Sequence, residues 1–140
     1  MRRHNTNFDS KRYFDWLERA ESDLSCAQIL KDNNGDNCNA AFHCQQCIEK
    51  ALKGFLLYVT KNHVDGHSLT YLCRTAMRYD TFFNEWLDES SELNRFYIET
   101  RYPTDRGFDV TDEELEKVYI MAKSMYDFIF KQISSYTAWL

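Results

Sequence analysis

Proline and glycine are scarce in this chain: its 140 residues include one proline, Pro103, and four glycines. Turns and sheet corners draw heavily on these two residue types, so their scarcity argues against an all-β sandwich or barrel. It also excludes Gly/Pro-rich disorder and collagen-like repeats. Hydrophobic residues make up 44% of the chain and supply enough material for one core. The composition therefore predicts a single helical domain over residues 1–140.

Long apolar runs and an excess of basic charge are also missing. The longest apolar cluster, residues 55–59, is far too short to span a bilayer, and the basic residues 1–5 are not followed by the apolar stretch of a signal peptide. The net charge of −5 disfavours broad, nonspecific binding to nucleic acid or anionic membranes. Five cysteines without an export signal predict reduced thiols in a cytoplasmic protein.

Apolar residues recur at steps of three and four along residues 10–31, 36–61 and 68–79. This spacing places side chains on one face of a helix. Helices of about 22–26 residues would span roughly 33–39 Å, the proportions of an up-and-down bundle. The periodicity therefore predicts an all-α bundle.

Capping residues mark the starts of two helices. The side chain of Asp9 or Ser10 can accept a hydrogen bond from an unpaired backbone amide at the start of the first helix. Thr111 and Glu114 form a capping box before the last one. Between these helices, the irregular pattern of residues 81–90 leaves the conformation of that segment open.

The most informative stretch is Arg101-Tyr102-Pro103. A helix that begins near residue 90 is expected to finish near Arg101, because Pro103 removes a backbone donor and pushes Tyr102 away from helical angles. A helix stop explains the proline but not an arginine in the last turn beside a large aromatic residue. The planar fork of an arginine suits phosphate or carboxylate recognition.

Cys44 and Cys47 have the C-x-x-C spacing of some metal and redox sites. A zinc site would need four ligands, and His43 and Cys38 could join the two cysteines as the third and fourth. Zinc sites with this spacing, however, usually lie on turns and include a second C-x-x-C pair elsewhere in the chain. A thioredoxin motif follows a strand, whereas this one lies inside a predicted helix. Cysteine on an apolar stripe behaves as a small hydrophobic residue. We therefore expect core packing, with no bound metal or cofactor.

Three further groups have both a structural and a functional interpretation. His67 follows a turn and suits a pocket base or a surface residue. The charged group of Glu49, Lys50 and Lys53 is by default a solvated helix face, with the first and last at the i,i+4 spacing of an ion pair. The aromatic residues within 82–86 are expected in a core or interface rather than in a base-stacking platform.

Four motifs, taken in order, resemble the HEPN domain family. The family's layout is A-x-x-D-L, F-x-x-Q-Q-x-x-E-K-A-L-K, H-x-L and R-Y-P-D, and this chain matches it at residues 20–24, 42–53, 67–69 and 101–103. Thr104 stands where the last motif has aspartate, and aspartate follows one position later. The resemblance covers residues 10–135 and points to the R-Y-P-D subgroup.

This resemblance implies a bundle of about five helices, a homodimer, nucleotide binding and a minimal nucleotidyltransferase as partner. The chain carries no nucleotidyltransferase segment, so that domain is expected on a separate protein. By resemblance, Arg101 would contact phosphate near Lys53 and His67, while Glu49 and Asp23 would hold the cations through ion pairs. Tyr102, beside the arginine, completes the expected ligand-binding set.

Some HEPN proteins are metal-independent ribonucleases that act as toxins, and these use an arginine followed four to six residues later by a histidine. Neither Arg95 nor Arg101 has a histidine at that distance. A non-catalytic module is therefore favoured. A diverged ribonuclease toxin of a toxin–antitoxin pair, with His67 or His43 as its base, and a purely structural dimerisation module remain as alternatives. The sequence does not specify an RNA target.

Overall fold

The computed structural model describes residues 8–97 and 109–137, so Arg101, Tyr102 and Pro103 lie outside the described part. Within these ranges the chain is helical and has no strand. The elements in chain order are α1 (Tyr13–Asp32), α2 (Asn37–Thr60), α3 (Leu69–Met77), a 3-10 helix (Thr81–Trp86), α4 (Leu87–Asn94) and α5 (Asp112–Thr137). The five α-helices confirm the predicted all-α bundle.

Helices α1 and α2 form the central hairpin. A short turn joins them, in which Asn34 takes a left-handed backbone (φ 55°) and the Gly35 amide donates to the Leu30 carbonyl at 2.7 Å. The Asp36 side chain caps α2 by accepting from the Cys38 amide. Gly54 lets the two helices approach closely, because a Cβ there would lie 3.2 Å from the Cβ of Trp16. The hairpin therefore depends on a small residue in α2.

The start of α1 differs from the prediction. Its N-cap is Arg12, whose side chain makes no capping hydrogen bond. Ser10 instead accepts a hydrogen bond from the Arg12 amide and donates one to the Asp15 carboxylate, which lies in the first turn. Ser10 lies two residues before the N-cap and bonds to the Asp15 side chain instead of occupying the cap position. The expected cap at Asp9 or Ser10 is therefore wrong.

The core lies where α5 packs across the α1–α2 hairpin. Its largest fully buried side chains include Phe55, Phe83, Ile48 and Met125. Cys44 and Cys47 are also fully buried, which confirms that they pack as core residues. At the start of α5, the Glu114 amide donates to the Thr111 hydroxyl at 3.1 Å, as the capping box predicts.

The segment left open by the sequence is a 3-10 helix followed directly by α4. Phe83 is buried there, whereas Phe82 is exposed. Helix α4 ends at Asn94, earlier than the predicted end near Arg101, and residues 95–97 form a turn. The Asn94 side chain accepts from the Leu69 amide at 2.8 Å and so caps α3. After Asn94 the chain continues as a turn, in which the Phe96 amide donates to the Leu93 carbonyl at 3.1 Å and the Phe96 ring is buried. In the described part, no helix is long and apolar enough to cross a membrane.

Candidate functional site

Glu49 is the centre of the first polar cluster. It is buried, with 5% of its surface exposed, on the inward edge of α2. Its Oε2 accepts from Lys53 Nζ at 3.1 Å and from His67 Nδ1 at 3.0 Å. Its Oε1 accepts from the side-chain amides of Gln45 and Gln46 at 3.3 and 3.5 Å. Four donors therefore surround one carboxylate.

Burial of a carboxylate is costly unless it is paired and hydrogen-bonded, and both conditions are met here. The Lys53 side chain is only 12% exposed, so this ion pair is far better shielded from water than an ordinary surface pair. The default interpretation of Glu49, Lys50 and Lys53 as a solvated helix face is therefore wrong for Glu49. The expected i,i+4 ion pair between Glu49 and Lys53 is confirmed.

An aromatic ring covers the other side of His67. The imidazole stacks on the ring of Tyr97, with centroids 4.6 Å apart and planes at 14°. Tyr97 lies in the turn after α4 and also approaches Phe42 of α2, at 6.4 Å between centroids. The Glu49 bond and the Tyr97 ring together fix the histidine in one orientation.

Asp23 of α1 is the centre of a second cluster with the same composition. Its carboxylate accepts from Lys50 Nζ at 2.5 Å and from His43 Nδ1 at 2.8 Å, both on α2. Burial by itself would raise the pKa of Asp23, but the hydrogen bonds and charges of His43 and Lys50 together lower it below the ordinary value. The aspartate is therefore held as an anion.

The two clusters share α2, and a chain of ring contacts joins them. The ring of Phe42 lies 5.9 Å from that of His43 and, through Tyr97, connects the second cluster to the first. We call this surface the α2 polar face, and it consists of Asp23, Phe42, His43, Glu49, Lys50, Lys53, His67 and Tyr97. Each half presents one lysine and one histidine, both oriented by a buried carboxylate.

The structure brings together part of the predicted site. Glu49, Lys53 and His67 meet in one cluster, as expected. Of the two expected carboxylates, Glu49 holds both Lys53 and His67. Asp23 pairs instead with Lys50 and His43, and Arg101 lies outside the described residues. The physical reason is helix packing: Asp23 faces the edge of α2 that carries residues 43 and 50, two turns apart.

Sequence reasoning missed the pairing of His43 and Lys50 with Asp23 and the stacking of Tyr97 on His67. The first two are seven residues apart, a separation that places them on one helix face opposite the aspartate of α1. That spacing was available as a signal. The position of Tyr97 was not, because it depends on the early end of α4.

The cysteines do not contribute to the α2 polar face. Burial raises the pKa of the Cys44 thiol to about 12 and that of Cys47 well above its ordinary value. Metal binding and nucleophilic chemistry both need the thiolate, which this environment disfavours. Among the described residues, no group of three or more His, Cys, Asp or Glu side chains is placed to hold a metal ion.

Comparison with known proteins agrees with this architecture. The family model described as the HEPN domain matches residues 13–133. The fold is similar to TT1696 from Thermus thermophilus, with a TM-score of 0.75 and 30% identity over 87% of this chain and 98% of that one. It is also similar to ST0689, an archaeal HEPN homologue, with a TM-score of 0.72 and 28% identity over 89% of this chain and 99% of that one. No curated protein matches.

The fold therefore defines a helical bundle that carries a polar face on its second helix. The chain belongs to the HEPN domain family.

Proposed function

We propose that this protein is a nucleotide-binding HEPN module without catalysis of its own, which works with a separate minimal nucleotidyltransferase. The observation that carries the proposal is the α2 polar face, where two buried carboxylates each orient a lysine and a histidine. The family resemblance supports the nucleotidyltransferase partner, the homodimer and a phosphate contact by Arg101.

The donors of the α2 polar face suit a phosphate group. A lysine ammonium has three donors, and both Lys50 and Lys53 direct one of them to a buried carboxylate. The two histidines use Nδ1 toward the carboxylates and are the more exposed members, with the His67 side chain 38% exposed. Donors that are already oriented lose little entropy on binding, which favours affinity for an anion.

Titration with ATP tests nucleotide binding. We expect ATP to raise the unfolding temperature, since a ligand that binds only the native state stabilises it by RT ln(1 + [L]/Kd), about 2.7 kcal/mol at a hundredfold excess over Kd. Arg101→Ala should weaken this effect. Absence of stabilisation at saturating ATP would leave a purely structural dimerisation module as the better description.

A matched pair of lysines sharpens the test. Lys53 and Lys117 each form an i,i+4 pair with glutamate, but Lys53 belongs to the α2 polar face and Lys117 is exposed on α5. We expect Lys53→Ala to raise the Kd for ATP about tenfold, the loss of roughly one charged hydrogen bond, and Lys117→Ala to leave it unchanged. Equal effects would mean that ATP binding is nonspecific.

The partner requires a separate measurement. We expect the purified protein to be a homodimer by sedimentation and to co-purify with a minimal nucleotidyltransferase co-expressed from the same source. Separate elution of the nucleotidyltransferase at all salt concentrations would contradict the partner assignment. Nucleotide binding is tested independently by the ATP titration.

One observation favours a diverged ribonuclease as a second candidate. A carboxylate oriented against Nδ1 of a histidine is the arrangement that holds an imidazole as a general base, and both His67 with Glu49 and His43 with Asp23 have it. Strong expression should then arrest growth and degrade cellular RNA, and His67→Ala or His43→Ala should relieve both effects. Intact RNA after strong induction rules this candidate out.

A further inference from the structure

A separate cavity of about 390 Å³ lies where the end of α3, the 3-10 helix and the last turns of α5 meet. It is at the opposite end of α5 from the capping box and shares no residue with the α2 polar face. The lining residues that matter here are Arg78, Tyr79, Asp80, Phe82, Gln132 and Tyr136. Its volume falls in the range of small-molecule sites.

Asp80 provides the floor of this cavity. It is 7% exposed, and its carboxylate accepts from the Phe82 amide at 3.0 Å, from Gln132 Nε2 at 2.6 Å and from the Tyr136 hydroxyl at 3.0 Å. All three donors are neutral. Asp80 forms no ion pair with any residue that the structure describes. Buried charges are normally paired with an opposite charge, so this carboxylate has hydrogen bonds but lacks a counter-charge.

The environment of Tyr136 reflects the same negative charge. Burial and then the hydrogen bond and charge of Asp80 raise the pKa of its phenol. Asp23 and Glu49 differ from Asp80 in this respect, because each of those carboxylates forms an ion pair with a lysine.

Aromatic side chains form the walls. Phe82 is 61% exposed and Tyr79 is 50% exposed, and both line the cavity together with Tyr136. The exposed rings of Phe82 and Tyr79 therefore offer apolar surface to a molecule in the cavity. Aromatic rings around a cavity with a carboxylate are the chemistry that binds organic cations, since the ring faces attract positive charge.

We propose that this cavity binds a small organic ammonium ion, with a quaternary ammonium group among Phe82, Tyr79 and Tyr136 and its positive charge facing Asp80. A quaternary ammonium needs no hydrogen-bond acceptor, so the three donors that already occupy Asp80 do not exclude it. The carboxylate acts through its charge, and the rings supply the contact surface.

Arg78 lies at the rim of the same cavity and is exposed. Its guanidinium forms no ion pair with Asp80 within 4.0 Å, so it does not supply the missing counter-charge directly. As a like charge it opposes a cationic ligand. We therefore expect removal of this arginine to strengthen binding.

Choline is the probe, and amide NMR spectra of the full chain are the readout. The Phe82 backbone amide and the Gln132 side-chain amide both donate to Asp80, so they report directly on a charge placed in the cavity. We expect choline to shift these two signals saturably in the millimolar range, and neohexanol, its uncharged isostere, to bind at least about tenfold more weakly. No shift of either signal at about 50 mM choline, a concentration well above a millimolar Kd, overturns the proposal.

Surface variants identify the walls without disturbing the core. Phe82→Leu removes an exposed ring and should raise the choline Kd about fivefold or more, whereas Arg78→Gln should lower it about twofold to fivefold. Tyr71→Leu is the control, because Tyr71 is an exposed aromatic residue of α3 outside the cavity, and this variant should leave the choline Kd unchanged.

Neohexanol binding as tightly as choline would assign the cavity to an apolar ligand. Shifts of the same amides on dilution without choline would assign it to a second copy of the chain. Either result overturns the proposal.

Discussion

Lys50 on α2 donates a hydrogen bond to Asp23 on α1 at 2.5 Å, although 27 residues separate them in the chain. This contact ties together the two helices of the central hairpin at a point where both side chains are largely shielded from water. His43 completes the arrangement from the same face of α2. The pair therefore has two roles: it stabilises the hairpin, and it orients half of the α2 polar face.

Removal of Lys50 should destabilise the protein. Lys50→Met keeps most of the aliphatic stem but leaves the buried carboxylate of Asp23 with only His43, and we expect a loss of about 1–3 kcal/mol in the free energy of unfolding. Urea denaturation measures it. Lys123→Met is the control, since Lys123 pairs with Asp127 at an exposed site and should change stability by less than about 0.5 kcal/mol. Similar values for the two variants would mean that the Asp23 pair is no stronger than a surface pair.

Acid should remove the contribution of Asp23. Its pKa in the folded state lies below the ordinary 3.8, so the unfolded chain binds more protons and stability rises with pH across this window. The contribution is fully present above pH 3.8 and is lost as the pH falls through the lower folded-state pKa. We expect Asp23→Asn to be less stable than the parent at neutral pH, with the gap narrowing below pH 3.8 in urea titrations at several pH values. A constant gap would contradict this assignment.

The five cysteines should react in an order set by burial. Cys26 and Cys38 are half-buried, whereas Cys44, Cys47 and Cys73 are buried. Burial also raises the pKa of Cys44 to about 12, so little of it is thiolate at neutral pH. Alkylation of the native protein followed by mass spectrometry should label Cys26 and Cys38 first, and all five should react in urea. Rapid labelling of Cys44 in the native state would contradict the core position.

Gly54→Ala tests the close approach of α1 and α2. Alanine is favoured over glycine inside a helix by about 1 kcal/mol, so an exposed site would gain stability. Here the new Cβ would lie 3.2 Å from Trp16 Cβ and 3.3 Å from the Tyr13 carbonyl, neither of which can rotate away. We expect a net loss of about 1 kcal/mol, from overpacking that outweighs the propensity gain, measured by thermal or urea unfolding. A more stable variant would show that the hairpin has room to relax.

Much of the fold could be predicted from local patterns. The stripe of apolar residues every three or four positions is enough to define a long helix, and the Thr111–Glu114 box acts within one turn of α5. The pairing of Glu49 with Lys53 follows the same rule, because i and i+4 side chains meet on any helix. These features need no information from elsewhere in the chain.

The parts that failed depend on contacts between distant segments. The Asn94 side chain at the end of α4 accepts from the Leu69 amide at the start of α3, 25 residues away, and no pattern around residue 94 signals that contact. The expected cap at Asp9 or Ser10 failed for a partly local reason, since the Ser10 hydroxyl donates to Asp15 and the Ser10 carbonyl accepts from the Trp16 indole. The same carbonyl also contacts His63 Nε2 at 2.7 Å, and this partner lies 53 residues away.

Local patterning alone predicted the helical class of this protein and the approximate extent of its long helices, and the order of four motifs gave the resemblance to the HEPN family that the family model confirms. Periodicity and motif order are properties of the chain itself. Helix packing, by contrast, selected which carboxylate holds which cation. Asp23 received Lys50 and His43 rather than Lys53 and His67, and Asp80 received no cation among the described residues. A charge partner is chosen by the distance and burial that helix packing creates, and the scarcity of proline and glycine predicts helices without predicting which side chains meet between them.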